Sequence, residues 1–129
     1  MKILELQQQT QERYAAERGM QNPAMIETRG EFVDYVREMR EFLNMELDEI
    51  LAAVDFSGAC RKPWKERHAS HRRAEFIHED FDSTLKEEAV DALCFMMNIC
   101  LACGVTHENI EKLYGEVYAK NMGRLDNDY

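Results

Sequence analysis

Four acidic residues stand in two pairs whose spacing could bring their carboxylates together. Glu46 and Glu49 are three residues apart, and so are Glu88 and Asp91. Residues at i and i+3 share one face of an α-helix, so each pair would present two carboxylates side by side. Two unit charges about 4 Å apart repel by about 4 kcal/mol at an effective dielectric near 20. Four carboxylates that meet therefore need cations.

Magnesium suits such a group, because it is a hard ion that binds oxygen ligands and keeps positions open for phosphate groups. Two ions roughly 3.5–4 Å apart could activate a water molecule and hold the bridging oxygens of a phosphate chain. We therefore expect two or more Mg²⁺ ions, with Mn²⁺ able to replace them.

The neighbours of the acids distinguish them from ordinary surface charges. Glu46 and Glu88 each interrupt an apolar stripe, one made of Phe32, Val36, Met39, Leu43 and Ile50, the other of Phe81, Leu85, Ala92, Phe95 and Ile99. A charge that faces the core is costly unless it is paired or bound to a metal. The alternative is that the acids are solvated, because ExxE and ExxD occur on many exposed helices.

A basic segment reverses the local charge between residues 61 and 73. It contains Arg61, Lys62, Lys65, Arg67, Arg72 and Arg73. One interpretation is that Lys62 and Lys65 hold phosphates through charge-assisted hydrogen bonds, while Trp64 stacks on a base or supports the loop. The other is a solvated loop with Trp64 anchored in the core, and we favour solvation for Arg72 and Arg73. His68 and His71 lack a third soft ligand for a metal.

The C-terminal stretch KNMGRLDNDY carries a second group of polar residues. Lys120, Asn121 and Arg124 fall at the end of the last predicted helix. Cations at a helix C-terminus interact favourably with the helix dipole, which is the common explanation for them. The functional alternative is that Asn121 and Arg124, on one helix face, contact the sugar or phosphates of a substrate.

The elements that must position these residues are helices. Apolar spacing predicts four of them, over about 3–18, 30–54, 84–103 and 107–122, with a loop over about 57–80. Gly19 and Gly104 are expected to end the first and third helices, and Thr84 and Thr106 to cap the third and fourth. No alternating segment predicts a strand. The expectation is an all-α bundle of four to five helices.

Length and composition indicate one domain over residues 1–129 of an ordinary globular protein. The formal charge of −9 argues against general affinity for nucleic acid or an anionic membrane. The N-terminus does not resemble a signal peptide, and no apolar run is long enough to span a bilayer. We expect a cytoplasmic protein whose cysteines, including the Cys100–Cys103 CxxC, are reduced core residues.

The order of motifs resembles one family, the all-α NTP pyrophosphatases. ExxE is followed by KPWK, then by ExxD with a long apolar helix, and finally by NxxRxDxxY. The match is most similar to the phage dCTP/dUTP pyrophosphatase branch, related to the dimeric-type dUTPases and MazG-like enzymes. The resemblance covers most of the chain, and KPWKER and the C-terminal pattern are its specific parts.

This resemblance implies a magnesium-dependent cleavage between the α- and β-phosphates of dUTP or dCTP, in the host cytoplasm if the enzyme is phage-encoded. It implies that Glu46, Glu49, Glu88 and Asp91 ligate the metals and that Glu49 activates the water. The substrate residues that it implies are Trp64, Lys65, Asn121, Arg124, Tyr129, Gln7 and Gln11. Lys62, from the basic segment, and Lys120, from the C-terminal stretch, are added as further candidates for holding the substrate. We also expect a homodimer or higher oligomer, because the third helix is apolar on nearly all sides from Ala92 to Cys103.

The chain departs from the family pattern at three positions. Val117 and Tyr118 stand where the family commonly has a Lys-Asn pair, and Lys120 could supply the missing charge from the next turn. Cys94 precedes Phe95, where the family often has a His near the base.

Three other hypotheses remain. A MazG-like enzyme would act on another nucleoside triphosphate. A nucleic-acid-binding protein would use the 61–73 segment without magnesium and in a salt-sensitive way. A helical assembly module would tolerate Glu46→Gln and Glu88→Gln, which would abolish turnover in an enzyme.

Overall fold

The computed structural model describes residues 2–55, 62 and 64–127. Five α-helices follow one another: α1 (Ile3–Arg18), α2 (Arg29–Asp55), α3 (Glu66–Arg72), α4 (Asp82–Ala102) and α5 (Ile110–Asp126). Two short 3-10 turns lie at Pro23–Met25 and His78–Asp80. The described ranges contain no strand, so the all-α prediction is confirmed.

Glycine ends α1 where the sequence predicts. Gly19 has φ 67°, in the left-handed region that residues with a Cβ rarely adopt, and its N–H donates to the carbonyl of Ala15. Gly104, just after α4, has φ 86° and plays the same part. The predicted ends of both helices are therefore confirmed.

The predicted helix starts are less accurate. Thr84 does not cap α4, because that helix already begins at Asp82 and Thr84 lies within it. Thr106 does not directly cap α5, which begins at Ile110. Its Oγ1 accepts a hydrogen bond from the N–H of Glu108 at 3.3 Å, and its own N–H donates to Asn109 Oδ1 at 2.8 Å. These local bonds hold residues 107–109 in a turn before the helix starts.

The predicted basic loop contains a helix. α3 occupies Glu66–Arg72, with Glu66 in its first turn and His71 and Arg72 in its last. That charge order is favourable for the helix dipole and so stabilises the helix. Cys60, Arg61, Pro63 and Tyr129 lie outside the described residues.

The chain forms two compact units. The first comprises Met1–Tyr35 and Met97–Tyr129, and the second comprises Val36–Met96. Leu4, Tyr35 and Leu101 are the buried apolar residues of the first unit, and Met39 and Ala92 those of the second. None of the helices that the structure describes is long and apolar enough to cross a membrane.

Candidate metal centre

Three of the predicted acids form a cluster in the second unit. Glu46 and Glu49 come from α2 and Glu88 comes from α4. Each offers one carboxylate oxygen, and these three oxygens all lie within 4.8 Å of one another. Glu46 and Glu88 are half-buried, whereas Glu49 is exposed. The structure therefore brings three hard oxygen ligands together at one place on two helices.

Aromatic packing holds α2 against α4 beside the cluster. The rings of Phe42 and Phe95 have centroids 5.4 Å apart, at an interplanar angle of 35°. Phe42 precedes Glu46 by one helical turn, and Phe95 follows Glu88 by two turns. The two helices therefore run antiparallel where they meet. Met39 and Ala92, on the same stripes, are buried. The apolar stripes that the acids interrupt are thus the surfaces that juxtapose them.

The cluster changes the proton affinity of its members. Hydrogen bonds with Glu49 and Glu46 are the main causes that raise the pKa of Glu88 to about 7, and burial and the two neighbouring charges add to them. Burial is the main cause that raises the pKa of Glu46, while the hydrogen bond with Glu88 acts in the opposite direction. The Glu88 carboxyl therefore holds a proton up to about neutral pH and donates it to its neighbours.

Two oxygens of the cluster have no hydrogen-bond partner in the described part of the chain. They are Glu46 Oε2 and Glu88 Oε2, and both are buried. Buried polar atoms are nearly always satisfied in folded proteins, so an unsatisfied pair needs an explanation. Carboxylate oxygens that crowd together and lack donors are what a hard divalent cation binds. The three residues therefore fit a metal ion.

Asp91 stands apart from these three carboxylates. It is exposed on α4 and is not among the acids whose oxygens lie within 4.8 Å of one another. Its charge nevertheless reaches the cluster, because it raises the pKa of Glu46. Burial is the main cause that raises the pKa of the Cys94 thiol, and the charge of Asp91 raises it further. The role of Asp91 as a fourth ligand stays a prediction.

The segment between α2 and α3 exposes its predicted substrate residues. Lys62, Trp64 and Lys65 are exposed, and Trp64 has 76% of its surface accessible. Trp64 is therefore not a core anchor, which removes one of the two interpretations of this residue. The N–H of Lys65 donates to the carbonyl of Lys62 at 3.0 Å, and the carbonyl of Lys65 accepts from Ala69 in α3.

His68 supports this segment, a role that the sequence did not reveal. It is 6% exposed, and its Nδ1 accepts a hydrogen bond from the N–H of Lys62 at 3.2 Å. Burial is the main cause that lowers its pKa, and the charges of Arg67, Lys65 and Lys62 lower it further. A neutral imidazole whose Nδ1 accepts this bond is a structural support rather than a metal ligand at that atom.

The arginines at the end of α3 differ from the lysines before it. Arg73 forms an ion pair with Glu66 at 2.9 Å, and both side chains are more than half exposed. An exposed pair of this kind contributes little to stability, which agrees with the prediction that Arg73 is solvated.

The predicted C-terminal residues lie along α5, a helix with no buried residue. Lys120, Asn121 and Arg124 are exposed, and Asn121 and Arg124 share a face through their i, i+3 spacing. Val117 and Tyr118, which replace the family's Lys-Asn pair, are 55% and 57% exposed. They therefore present apolar and aromatic surface where the family pattern has hydrogen-bonding groups.

The predicted glutamines of α1 are buried in the first unit. Gln7 and Gln11 are 9% and 6% exposed, and Gln7 Nε2 donates to Asn98 Oδ1 at 2.8 Å. Asn98 is 4% exposed and was not among the predicted site residues. The signal for it was its polar character inside the apolar run of α4.

Comparison with known proteins finds phage relatives. The chain is 29% identical over 117 residues to the dCTP pyrophosphatase of Enterobacteria phage T4, which covers 84% of this chain and 68% of that protein. It is 28% identical over 138 residues to the dCTP pyrophosphatase of Enterobacteria phage LZ5, which covers 98% and 80%. A DNA replication protein of phage T4 is 30% identical over 114 residues, 81% of this chain but 28% of that protein. No family model and no solved structure matches significantly.

Proposed function

We propose that this chain, which belongs to the phage dCTP pyrophosphatase branch of the all-α NTP pyrophosphatases, hydrolyses dCTP, dUTP or both to the deoxynucleoside monophosphate and pyrophosphate. The observation that carries the proposal is the cluster of Glu46, Glu49 and Glu88, whose carboxylate oxygens lie within 4.8 Å of one another. Two relatives named dCTP pyrophosphatase align over 84% and 98% of the chain and support the substrate class.

The acids would have different tasks in this reaction. Glu46 on α2 and Glu88 on α4 are half-buried near the place where these two helices pack together. They would therefore hold Mg²⁺, together with Glu49 and Asp91. Glu49 is exposed and accessible to water, so it is our candidate for accepting the proton of the attacking water molecule. When bound, two or more Mg²⁺ ions (or Mn²⁺ in their place) supply charge neutralisation and a more acidic water.

The basic and polar residues would hold the substrate. Lys62 and Lys65 are exposed beside Trp64, so their ammonium groups can donate charge-assisted hydrogen bonds to phosphate oxygens. The exposed Trp64 ring offers a face on which a base can stack. The resemblance assigns Asn121, Arg124 and Tyr129 to the C-terminal substrate motif, and Gln7 and Gln11 to the base. Lys120 would supply the charge of the family's missing Lys-Asn pair.

Bond changes follow from the products. The reaction breaks the oxygen bridge between the α- and β-phosphates. The oxygen of the water molecule bonds to one of these two phosphorus atoms, and the bond between that phosphorus and the bridging oxygen breaks. Pyrophosphate and the monophosphate then separate. The proton of the water passes to Glu49. A phage-type enzyme of this class would act in the host cytoplasm.

Self-association is part of the proposal. α5 buries none of its residues, and Tyr114, Val117, Tyr118 and Leu125 are each more than half exposed. Exposed apolar surface of this extent is typical of an interface. We expect a homodimer or higher oligomer, and a mass equal to one chain of 15.1 kDa by light scattering would contradict that expectation.

A substrate panel tests the activity. The protein is incubated with magnesium and each of dCTP, dUTP, dTTP, dATP, dGTP and the ribonucleotides, and both pyrophosphate and single phosphates are measured. We expect pyrophosphate from dCTP, dUTP or both. Turnover of a purine nucleotide alone would favour a different MazG-like specificity. Release of single phosphates would rule out cleavage between the α- and β-phosphates.

A further inference from the structure

A groove of about 530 Å³ runs along the first half of α5. Its lining consists of Ile110, Glu111, Tyr114, Gly115 and Tyr118. Tyr114 and Tyr118 are 71% and 57% exposed, and no residue of α5 is buried. A mainly apolar groove on an exposed helix indicates a surface for another protein chain.

Two charges of opposite sign lie at equal distances from Ala119, in the middle of α5. Lys112 precedes Ala119 by seven residues, and Asp126 follows it by seven. Seven residues are close to two helical turns, so both charges lie near the face that carries Ala119. Both residues are exposed, and neither forms an ion pair within the described part of the chain. Two antiparallel copies of α5 centred on Ala119 would place each lysine opposite an aspartate, whereas parallel copies would bring like charges together.

Small residues allow a second helix to approach α5 closely at this centre. Gly115 and Gly123 lie four residues before and after Ala119, on the same side of the helix. A Cβ at either glycine would meet nothing within 4 Å among the residues that the structure describes. Glycine inside a helix is destabilising relative to alanine, and no packing contact within the described chain requires it here. The close approach of another helix would require it, because helix axes come nearest where the side chains between them are small.

We propose that α5 packs antiparallel against α5 of a second copy, about a two-fold axis at Ala119, with the partner's Met122 in the groove beside Gly115. This inference rests on the self-association in the proposed function and identifies its contact. A two-fold axis pairs residues at equal distances before and after Ala119. The partner's Met122 therefore lies level with the turn that holds Gly115, where a flexible apolar side chain can fill the groove. Asn121 and Arg124 lie on the opposite side of α5, so the pairing leaves both accessible to a substrate.

Sedimentation equilibrium of the wild type and two glycine variants tests the contact. We expect the wild type to have a mass of at least two chains of 15.1 kDa. Gly115→Leu places a bulky side chain in the contact and should raise the dissociation constant about 100-fold or more. The fold should stay intact, which circular dichroism checks, because the new side chain has free space within the chain and leucine favours a helix. Gly30→Leu, the same change at an exposed glycine of α2, should leave the dissociation constant unchanged.

Exchange of the two charges tests the antiparallel register. Lys112→Glu brings a like charge to the partner's Asp126, and Asp126→Lys does the same at the partner's Lys112. Each single substitution should raise the dissociation constant about tenfold at low salt. The double variant has the net charge of the wild type and again places opposite charges together. Its dissociation constant should therefore return to within about threefold of the wild-type value.

The outcomes distinguish this contact from the rest of the proposed function. A wild type that keeps the mass of one chain overturns both the inference and the expected self-association, but not the release of pyrophosphate, which is measured separately. A protein that pairs as described but releases no pyrophosphate refutes the activity and leaves the contact standing. An associated wild type that Gly115→Leu does not dissociate overturns the inference alone. A double charge variant as weak as the single variants overturns the antiparallel register.

Discussion

The carboxylates of Glu46 and Glu88 meet from two antiparallel helices, and each keeps one buried oxygen without a partner in the described residues. A pair of buried acids is unfavourable when both are ionised, because neither can offset the charge of the other. The repulsion between the two carboxylates is relieved either by a proton that they share near neutral pH or by a bound cation. A site built for a cation and an incidental cluster of acids therefore differ in how they respond to magnesium.

The first prediction concerns stability against pH without metal. The pKa of Glu88 is about 7 in the folded protein and 4.5 when unperturbed, so the native state binds more protons between these values. Its contribution to stability is therefore complete below pH 4.5 and lost as the pH rises through about 7. Glu88→Gln should remove this loss.

Urea unfolding in EDTA at several pH values between 4.5 and 8 measures the effect. The quantity to compare is the difference in unfolding free energy between wild type and Glu88→Gln. His68 acts with the opposite sign, because its pKa is lowered from 6.5 and its destabilisation appears as the pH falls below that value. Because both proteins contain His68, its contribution cancels in the difference between their unfolding free energies. A difference that does not change with pH would show that Glu88 does not share a proton with its neighbours.

The second prediction concerns the melting temperature with magnesium. A cation that binds only the folded state must stabilise it, so saturating magnesium should raise the Tm of the wild type by about 5 °C. Glu46→Gln and Glu88→Gln should remove most of that rise. Without metal, both variants should be as stable as the wild type or more so, since they remove like charges from the cluster.

Glu41→Gln is the matched control for these variants. Glu41 is exposed on α2, outside the cluster, and its change from acid to amide is identical. The variant should keep the full response to magnesium. An equal response in all four proteins would mean that the cation binds elsewhere.

The third prediction concerns the support of the basic segment. His68→Phe removes the acceptor for the Lys62 N–H, so the lysines and Trp64 should lose their arrangement. We expect the KM for the preferred triphosphate to rise about fivefold, the size of one lost hydrogen bond, with little change in kcat. His71→Phe, at an exposed position of the same helix, should leave the KM near the wild-type value. Equal effects of the two substitutions would remove the assigned role of His68.

Local signals predicted part of the fold very well. α1 was predicted over Ile3–Arg18 and is observed there, because its last turn is ended by a glycine with a left-handed backbone. The start of α5 was predicted about three residues too early, because residues 107–109 form a turn between Thr106 and the first residue of the helix, Ile110. α3 was missed because seven residues are too few for an apolar period to stand out.

Part of the candidate site was visible in the same way. Glu46 and Glu88 interrupt apolar stripes, and those stripes are the surfaces by which α2 and α4 meet, so the sequence located both. Asn98 was not located, because its relationship with Gln7 joins residues 91 positions apart. A contact of that length depends on how two helices pack, which periodicity within either helix does not determine.

The most direct test is the release of pyrophosphate from dCTP and dUTP with magnesium, measured for the wild type, Glu49→Gln and Glu41→Gln. Both substitutions lie on α2 at exposed positions and remove the same charge. The account predicts turnover by the wild type and by Glu41→Gln, and a loss of about 100-fold or more in Glu49→Gln, as expected for a residue that takes the proton of the attacking water. Undiminished turnover in Glu49→Gln would contradict it.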